Sequence, residues 1–129
     1  MNENKLTYLV ITVEEFKKSL KRFIKKKRFY SLPEQIENLI NQLKIGNFTG
    51  DILTINHSPE YKIYKKRLPN PDTNSGTLNG YRVIYIVVQE NDTVGLLDIY
   101  YKKEEQTLTE EYIQGLIDGF LLELLPYED

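Results

Sequence analysis

Apolar residues recur along the chain with two different periods, and each period predicts a different element. Between positions 61 and 103, three runs rich in Val, Ile, Leu and Tyr are separated by clusters of Pro, Gly, Asn and Asp. This pattern predicts three consecutive strands of one mainly antiparallel sheet. The middle run, YRVIYIVV, is apolar on both faces. Strands of that kind lie inside a sheet, so we place this run at its centre.

Helical spacing of apolar residues predicts a pair of helices after a first strand over residues 5–12. The two apolar stripes comprise Phe16, Leu20, Phe23 and Ile24 in the first helix and Leu32, Ile36, Leu39, Ile40 and Leu43 in the second. Capping boxes formed by Thr12 with Glu15 and Ser31 with Glu34 predict the helix starts, and Gly46 predicts the end of the second. We expect the hairpin to pack on the sheet.

A third helix is predicted near the C-terminus, opened by a capping box of Thr107 with Glu110. Its apolar stripe comprises Ile113, Leu116, Ile117, Phe120, Leu121 and Leu124. Leu122 lies off this stripe and is a candidate for contact with another chain. Residues 46–60 are predicted to be mostly loop, with ILTI as a possible edge strand, and residues 69–80 to be a mobile, solvated connection.

These elements predict an α+β fold with a mostly antiparallel sheet, in the order strand, helical hairpin, three-stranded meander and C-terminal helix. A chain of 129 residues suits one hydrophobic core, so we expect a single domain over 1–129.

Composition narrows the chemistry. The chain has no cysteine, which excludes disulfides, a thiolate nucleophile and a cysteine zinc site, and favours a reducing compartment. His57 is its single histidine, an ordinary exposed side chain by its polar surroundings, so we expect neither a metal site nor a cofactor. No apolar run reaches membrane-spanning length and no signal peptide is evident, so we expect a cytoplasmic protein without a membrane partner.

Charge is distributed very unevenly. The net charge is only −2, yet positions 17–28 carry eight cations and no acid, whereas 104–129 carry eight acids and no cation. The balance argues against an indiscriminate nucleic-acid binder. The asymmetry predicts a bipolar molecule, with one side suited to nucleic acid and the other to a basic or apolar protein partner.

Cations also occur inside the predicted sheet. Lys65 and Arg67 share one face of the first meander strand, and Arg82 opens the second. Tyr100 and Lys102 share one face near the end of the third. If the strands pair in order, these residues converge into a cationic surface that suits a phosphodiester. Exposed cations on a strand are also common as plain solvated surface.

Three short motifs carry a resemblance to a known family: YKKRLPNPD (64–72), NSG followed by NGYRVIY (74–85), and LLDIYYKKEE (96–105). In their order and spacing they resemble the RelE/ParE toxin superfamily, in its HigB-like branch. The resemblance implies a RelE-like fold and a type II toxin. Toxins of this family enter the ribosomal A site and cut mRNA, or in the ParE branch inhibit gyrase, and each is neutralised by an antitoxin from the same operon.

Position by position, the resemblance implies five catalytic candidates: Lys65, Arg67, Arg82, Tyr100 and Lys102. Metal-independent RNA cleavage needs removal of the 2′-hydroxyl proton, stabilisation of the phosphate charge and protonation of the leaving oxygen. The arginines suit the phosphate, since a guanidinium binds two oxygens and keeps its charge. Proton transfer then falls to the lysines or the tyrosine, with Asp98 as a possible proton acceptor or as a neutralising charge.

RNA contacts are predicted at five further lysines, namely Lys62 and Lys66 on the first meander strand and Lys17, Lys21 and Lys25 on the first helix. The helical lysines are equally consistent with a solvated face. We therefore predict a ribosome-dependent mRNA endonuclease whose partners are the ribosome, mRNA and an antitoxin. The alternatives are a ParE-like gyrase inhibitor, or a catalytically degenerate member that only binds its antitoxin and co-represses the operon.

Overall fold

The computed structural model of the chain describes residues 7–55, 58–104 and 107–124; His57 lies outside these ranges. The elements run in the order β1 (Leu9–Thr12), α1 (Glu14–Lys25), α2 (Leu32–Lys44), β2 (Asp51–Leu53), β3 (Lys62–Leu68), β4 (Tyr81–Val88), β5 (Thr93–Tyr101) and α3 (Glu110–Leu124). The predicted α+β fold is confirmed. None of these three helices has the length and apolarity that crossing a bilayer requires.

The five strands form one mixed sheet in the order β1-β5-β4-β3-β2. The only parallel pair among them is β1 with β5, and the other neighbours are antiparallel. The apolar strand β4 is central, as its sequence predicts, and all of its residues are buried. The short strand from the ILTI segment is β2, at one edge.

Helices cover both faces of the sheet. The hairpin of α1 and α2 packs on one face, where the rings of Phe23 and Tyr81 meet edge to face with centroids 5.5 Å apart. Helix α3 packs on the other face. It approaches β5 so closely that a Cβ at Gly95 would lie 2.5 Å from the ring of Phe120. The sheet thus separates two apolar layers.

The predicted helix starts are close, but the capping boxes are wrong. Helix α1 begins after Val13, which offers no side-chain cap. The hydroxyl of Ser31 donates to the carboxylate of Asp72 instead of capping α2. For α3, the Thr109 hydroxyl accepts from the backbone N–H of Tyr112 at 3.1 Å, so the cap lies two residues beyond Thr107. A hydroxyl can cap a helix only if no other hydrogen-bond partner competes for it, and tertiary contacts decide this.

The connection between β3 and β4 is exposed over residues 76–79, as the sequence predicts, and it is also tied to the sheet by hydrogen bonds that the sequence did not predict. Asn70 and Ser75 form an isolated bridge with backbone hydrogen bonds of 2.8 and 2.9 Å. The Thr73 hydroxyl lies 2.8 Å from the Tyr101 hydroxyl. The polar residues that suggest solvation therefore bond to the sheet end and to one another.

Candidate functional site

Three of the predicted catalytic residues form a row across the sheet. Strand pairing places Arg67 opposite Arg82, and Arg82 opposite Tyr100. Side chains directly opposite on neighbouring strands have Cβ atoms about 5 Å apart. Lys65 is two residues before Arg67 on the same strand face, and Lys102 follows the end of β5. We call Lys65, Arg67, Arg82, Tyr100 and Lys102 the strand-end site.

Arg67 is the accessible arginine of this site. Its side chain is 51% exposed, and its guanidinium lies 3.5 Å from the carboxylate of Asp51 on the edge strand β2. An exposed ion pair of this length is weak. Arg67 is therefore able to exchange Asp51 for a phosphate. Sequence analysis missed Asp51, because nothing local signals that β2 pairs with β3 in the register Asp51 to Lys65.

Arg82 is buried, in contrast to the exposed surface that the sequence suggests. It is only 4% exposed. Its guanidinium donates to the backbone carbonyls of Thr77 and Leu78, each at 2.9 Å, and of Tyr81 at 3.2 Å. Burial and the charge of Arg67 lower the pKa of Arg82, against the opposing effects of Tyr100 and Asp51. Arg82 thus holds the β3–β4 connection in place and contributes a buried positive charge to the strand-end site.

Tyr100 lies under the start of α3. It is 4% exposed and belongs to the apolar cluster that contains Ile84 and Ile113. With half-buried Lys65 it lines a groove of about 280 Å³, whose far wall includes Leu108 and Ile113. The structure therefore brings Lys65 and Tyr100 together, but under a helix rather than on an open surface.

Lys102 joins the site through its backbone. Its N–H donates to the carbonyl of Gly80 at 2.8 Å, which ties the end of β5 to the start of β4. A Cβ at Gly80 would lie 2.1 Å from the carbonyl oxygen of Leu68. Only glycine permits this close approach, which keeps the ends of β3, β4 and β5 together.

Asp98 is held by two helices. A register shift leaves Leu97 as an extra residue between Asp98, opposite Ile84, and Leu96, opposite Tyr85. The Asp98 carboxylate accepts hydrogen bonds from the hydroxyls of Ser19 in α1 at 2.7 Å and Tyr112 in α3 at 2.8 Å.

Burial raises the pKa of Asp98, although the hydrogen bonds from Ser19, Tyr112 and the Ile99 N–H act in the opposite direction. Both carboxylate oxygens are engaged in holding α1 and α3 to the sheet. This geometry suits a structural link better than a proton acceptor for substrate.

The predicted RNA-binding lysines fall in separate places. Lys17, Lys21 and Lys25 are exposed on α1, as their spacing predicts. Lys66 points to the other side of β3 from Arg67, where its amine lies 2.7 Å from the Thr49 hydroxyl. Lys62 is exposed at the start of the same strand. The structure does not gather these lysines around the strand-end site.

Part of the positive charge of residues 17–28 is neutralised internally, which sequence analysis missed. The Glu104 carboxylate lies 2.6 Å from the Lys27 amine and 3.3 Å from the Arg22 guanidinium. Burial alone would raise the pKa of Glu104, but its hydrogen bond to Lys27 and both cations lower it overall. The acidic segment after β5 therefore begins by docking on the basic helix.

The outer side of α3 carries the predicted partner-contact residue. Leu122 is 68% exposed. A nearby groove of about 290 Å³ is lined by Gly115 and Gly119 together with the carboxylates of Glu14, Glu15 and Glu123. Cβ atoms at both glycines would meet nothing within 4 Å. The described ranges contain no cluster of three or more His, Cys, Asp or Glu side chains that could hold a metal ion.

The chain is similar to few known proteins. No protein-family model matches the chain, and no curated protein matches it significantly. Among solved structures, the chain is similar to the free state of an Escherichia coli RelE toxin mutant in which two arginines are replaced by alanine. The similarity has 14% sequence identity and a TM-score of 0.47, and covers 92% of this chain and 99% of that one.

Proposed function

We propose that the chain is a type II toxin that cuts mRNA on the ribosome and is neutralised by an antitoxin in the cytoplasm. The observation that carries this proposal is the row Arg67, Arg82 and Tyr100, flanked by Lys65 and Lys102 at one end of the sheet. These are the positions to which the motif resemblance assigns catalysis. The pairing supports a common site for residues far apart in sequence.

Arg67 is the side chain best placed to hold the scissile phosphate. Its side chain is half exposed and its contact with Asp51 is long. Arg82, held behind it by three carbonyls, adds a fixed positive charge. Preorganised charge stabilises a pentacovalent phosphate more than the ground state, which is the requirement for catalysis.

Proton transfer is proposed for Lys65 and Lys102, with Tyr100 as a further candidate. Lys65 lines the groove beside Tyr100, and Lys102 lies at the same sheet end. Asp98 is assigned a positioning role, because its carboxylate already accepts from Ser19 and Tyr112. No metal or cofactor enters the proposed reaction.

The α1 face supports the ribosomal part of the proposal. Lys17, Lys21 and Lys25 are exposed on one helix, and such cations bind RNA phosphates with a strong dependence on salt. For the antitoxin, the exposed Leu122 and the carboxylates beside Gly115 and Gly119 suit a segment that is both apolar and basic.

One observation favours a second candidate function. Arg82 and Tyr100 are almost inaccessible, which is unexpected for residues that touch substrate. A degenerate member that binds its antitoxin and co-represses the operon needs no access to either. The ParE-like alternative, gyrase inhibition, likewise requires no active-site chemistry.

Induction of the chain alone in growing cells separates these functions. We expect arrest of growth and translation, with primer extension showing cuts only inside translated messages. Co-expression of the protein encoded next to it should abolish the cuts. Arrest with DNA-damage signalling and intact mRNA would assign gyrase instead, and unimpaired growth would assign the degenerate function.

A further inference from the structure

A tyrosine stands exposed in the turn between α1 and α2, among cations. Tyr30 is 67% exposed. Lys25, Lys26 and Arg28 next to it are also exposed, whereas Lys27 is paired with Glu104 at 2.6 Å. We call Lys25, Lys26, Arg28 and Tyr30 the basic turn. No role was assigned to Tyr30 from the sequence.

The backbone of the basic turn is fixed on both sides of Tyr30. Before it, Arg28 adopts the left-handed conformation with φ of 60° and accepts a 3.0 Å hydrogen bond from the Tyr30 N–H. Phe29 then enters the core, with its ring centroid 5.6 Å from that of Tyr101 and 6.2 Å from that of Tyr81. Tyr30 is thus held outward by a buried neighbour.

After Tyr30, a polar contact completes the anchoring. The N–H and hydroxyl of Ser31 donate to the Asp72 carboxylate at 3.1 and 2.5 Å. Asp72 belongs to the same connection whose carbonyls are held by Arg82. The basic turn and the strand-end site therefore lie at one end of the sheet, on opposite faces of it.

An exposed aromatic side chain on a fixed backbone has a specific chemical use where its neighbouring cations, Lys26 and Arg28, form no ion pair with the residues that the structure describes. Its ring face offers stacking to a nucleobase, and the neighbouring cations offer contacts to the phosphates on either side. An acidic protein surface would use the cations but not the ring. The fixed backbone lowers the entropy lost on binding, because only the side chain must be ordered.

We propose that the basic turn binds an unpaired nucleotide of the message, with its base stacked on Tyr30 and its phosphates held by Lys26 and Arg28. This rests on the proposed function only in taking mRNA as the target. The basic turn would hold the part of the mRNA that continues from the strand-end site round the end of the sheet.

The chain has no tryptophan, which permits a direct optical test. Tyr30→Trp keeps a stacking ring and makes it the sole tryptophan. Titration with a single-stranded RNA octamer should quench its fluorescence, and an RNA duplex of equal charge should quench it much less. Ile45→Trp, at a site 60% exposed beyond the other end of α2, is the matched control and should show no quenching.

Affinity variants complete the test. Tyr30→Ala should bind the octamer about fivefold or more weakly, the lower bound for stacking one base, while Tyr30→Phe should bind like the wild type. Tyr30→Ala should also weaken binding to programmed ribosomes more than to ribosomes without message. Equal octamer binding by Tyr30→Ala, or equal quenching at Ile45→Trp, would overturn the stacking proposal. Equal losses on programmed and empty ribosomes would overturn the assignment to the message.

The octamer titration does not depend on cleavage, so its result is separable from the proposed function. Quenching by a chain that never cuts mRNA would leave the basic turn standing as an RNA site and remove the endonuclease. Cleavage without quenching would remove the basic turn alone.

Discussion

Two cationic regions of this molecule differ in how their charges are held. In the strand-end site, Arg82 is buried against three carbonyls and Arg67 stands beside it with one exposed carboxylate partner. On α1, Lys17, Lys21 and Lys25 are exposed on one helix surface. In the first region the charge of Arg82 is fixed and that of Arg67 is half exposed, whereas the lysine charges of the second region are all exposed.

This difference predicts different contributions to function. A fixed charge stabilises a transition state, because it needs no reorganisation as the reaction proceeds. An exposed lysine contributes mainly by releasing counterions from RNA, which affects ground state and transition state alike. Under the proposed function, the chemistry therefore belongs to the strand-end site and ribosome binding to α1. The following variants test that division.

The largest expected effect is a fall in the cleavage rate when Arg67 is replaced by alanine (Arg67→Ala). Removing a charge-stabilising donor from an active site lowers the rate about a hundredfold or more, and we expect this with little change in ribosome affinity. Single-turnover cleavage on programmed ribosomes measures the rate, and sedimentation measures binding. Asp51→Asn is the matched control: it removes the partner of Arg67 and should leave cleavage equal or faster.

Arg82→Ala should impair both stability and cleavage. The substitution removes the donor to the carbonyls of Thr77, Leu78 and Tyr81, and a hydrogen bond that involves a charged group contributes about 1.5–3 kcal/mol. Urea unfolding should show this loss of free energy. Arg82→Lys should recover part of it, because one amine cannot reach all three acceptors. Unchanged unfolding of Arg82→Ala would contradict the clamp that the structure shows.

Asp98→Asn should change the pH dependence of stability. Because burial raises the pKa of Asp98 in the folded state, the folded chain binds this proton more tightly than the unfolded chain. The free energy of unfolding then falls as pH rises above about 4, the ordinary pKa of aspartate. As pH rises, the free energy of unfolding of the wild type should therefore fall relative to that of Asp98→Asn. Chemical unfolding between pH 4 and 7 measures both free energies. If they change with pH in the same way for the wild type and Asp98→Asn, the pKa of Asp98 is not raised.

The smallest effects are expected on α1. Lys17→Ala, Lys21→Ala and Lys25→Ala should each weaken ribosome binding modestly and reduce the slope of log affinity against log salt by about one if the lysine contacts a phosphate. Single-turnover cleavage of the bound message should stay near the wild-type rate. Binding at four salt concentrations supplies the slope, and an unchanged slope identifies that lysine as plain solvated surface.

Periodicity was enough to predict the order of the elements and the central strand, but not the parallel pairing of β1 with β5. The two-sided apolar run at 81–88 identifies the central strand, and the helical stripes that contain Phe23, Leu39 and Ile117 end in the core. Helix caps were predicted less well, because a cap depends on which group the hydroxyl can reach. Ser31 bonds to Asp72, 41 positions away, instead of to its own helix.

The candidate site was harder to predict, for the same reason. Alternation along a strand shows which residues share a face of the sheet with Arg82 and with Tyr100, but it contains no signal for what covers that face. The carbonyls of residues 77 and 78 fold over Arg82, and the start of α3 covers Tyr100. Tyr30 was missed because a single turn residue has no period.

Cleavage of one message by the purified chain, on programmed ribosomes and free in solution, tests the central claim most directly. We predict cuts only in the ribosome-bound message, a rate about a hundredfold lower or more for Arg67→Ala, and a near wild-type rate for bound Lys21→Ala. If Arg67→Ala folds normally and cuts at the wild-type rate, or if Lys21→Ala loses cleavage while still bound, the division between the two cationic regions is wrong.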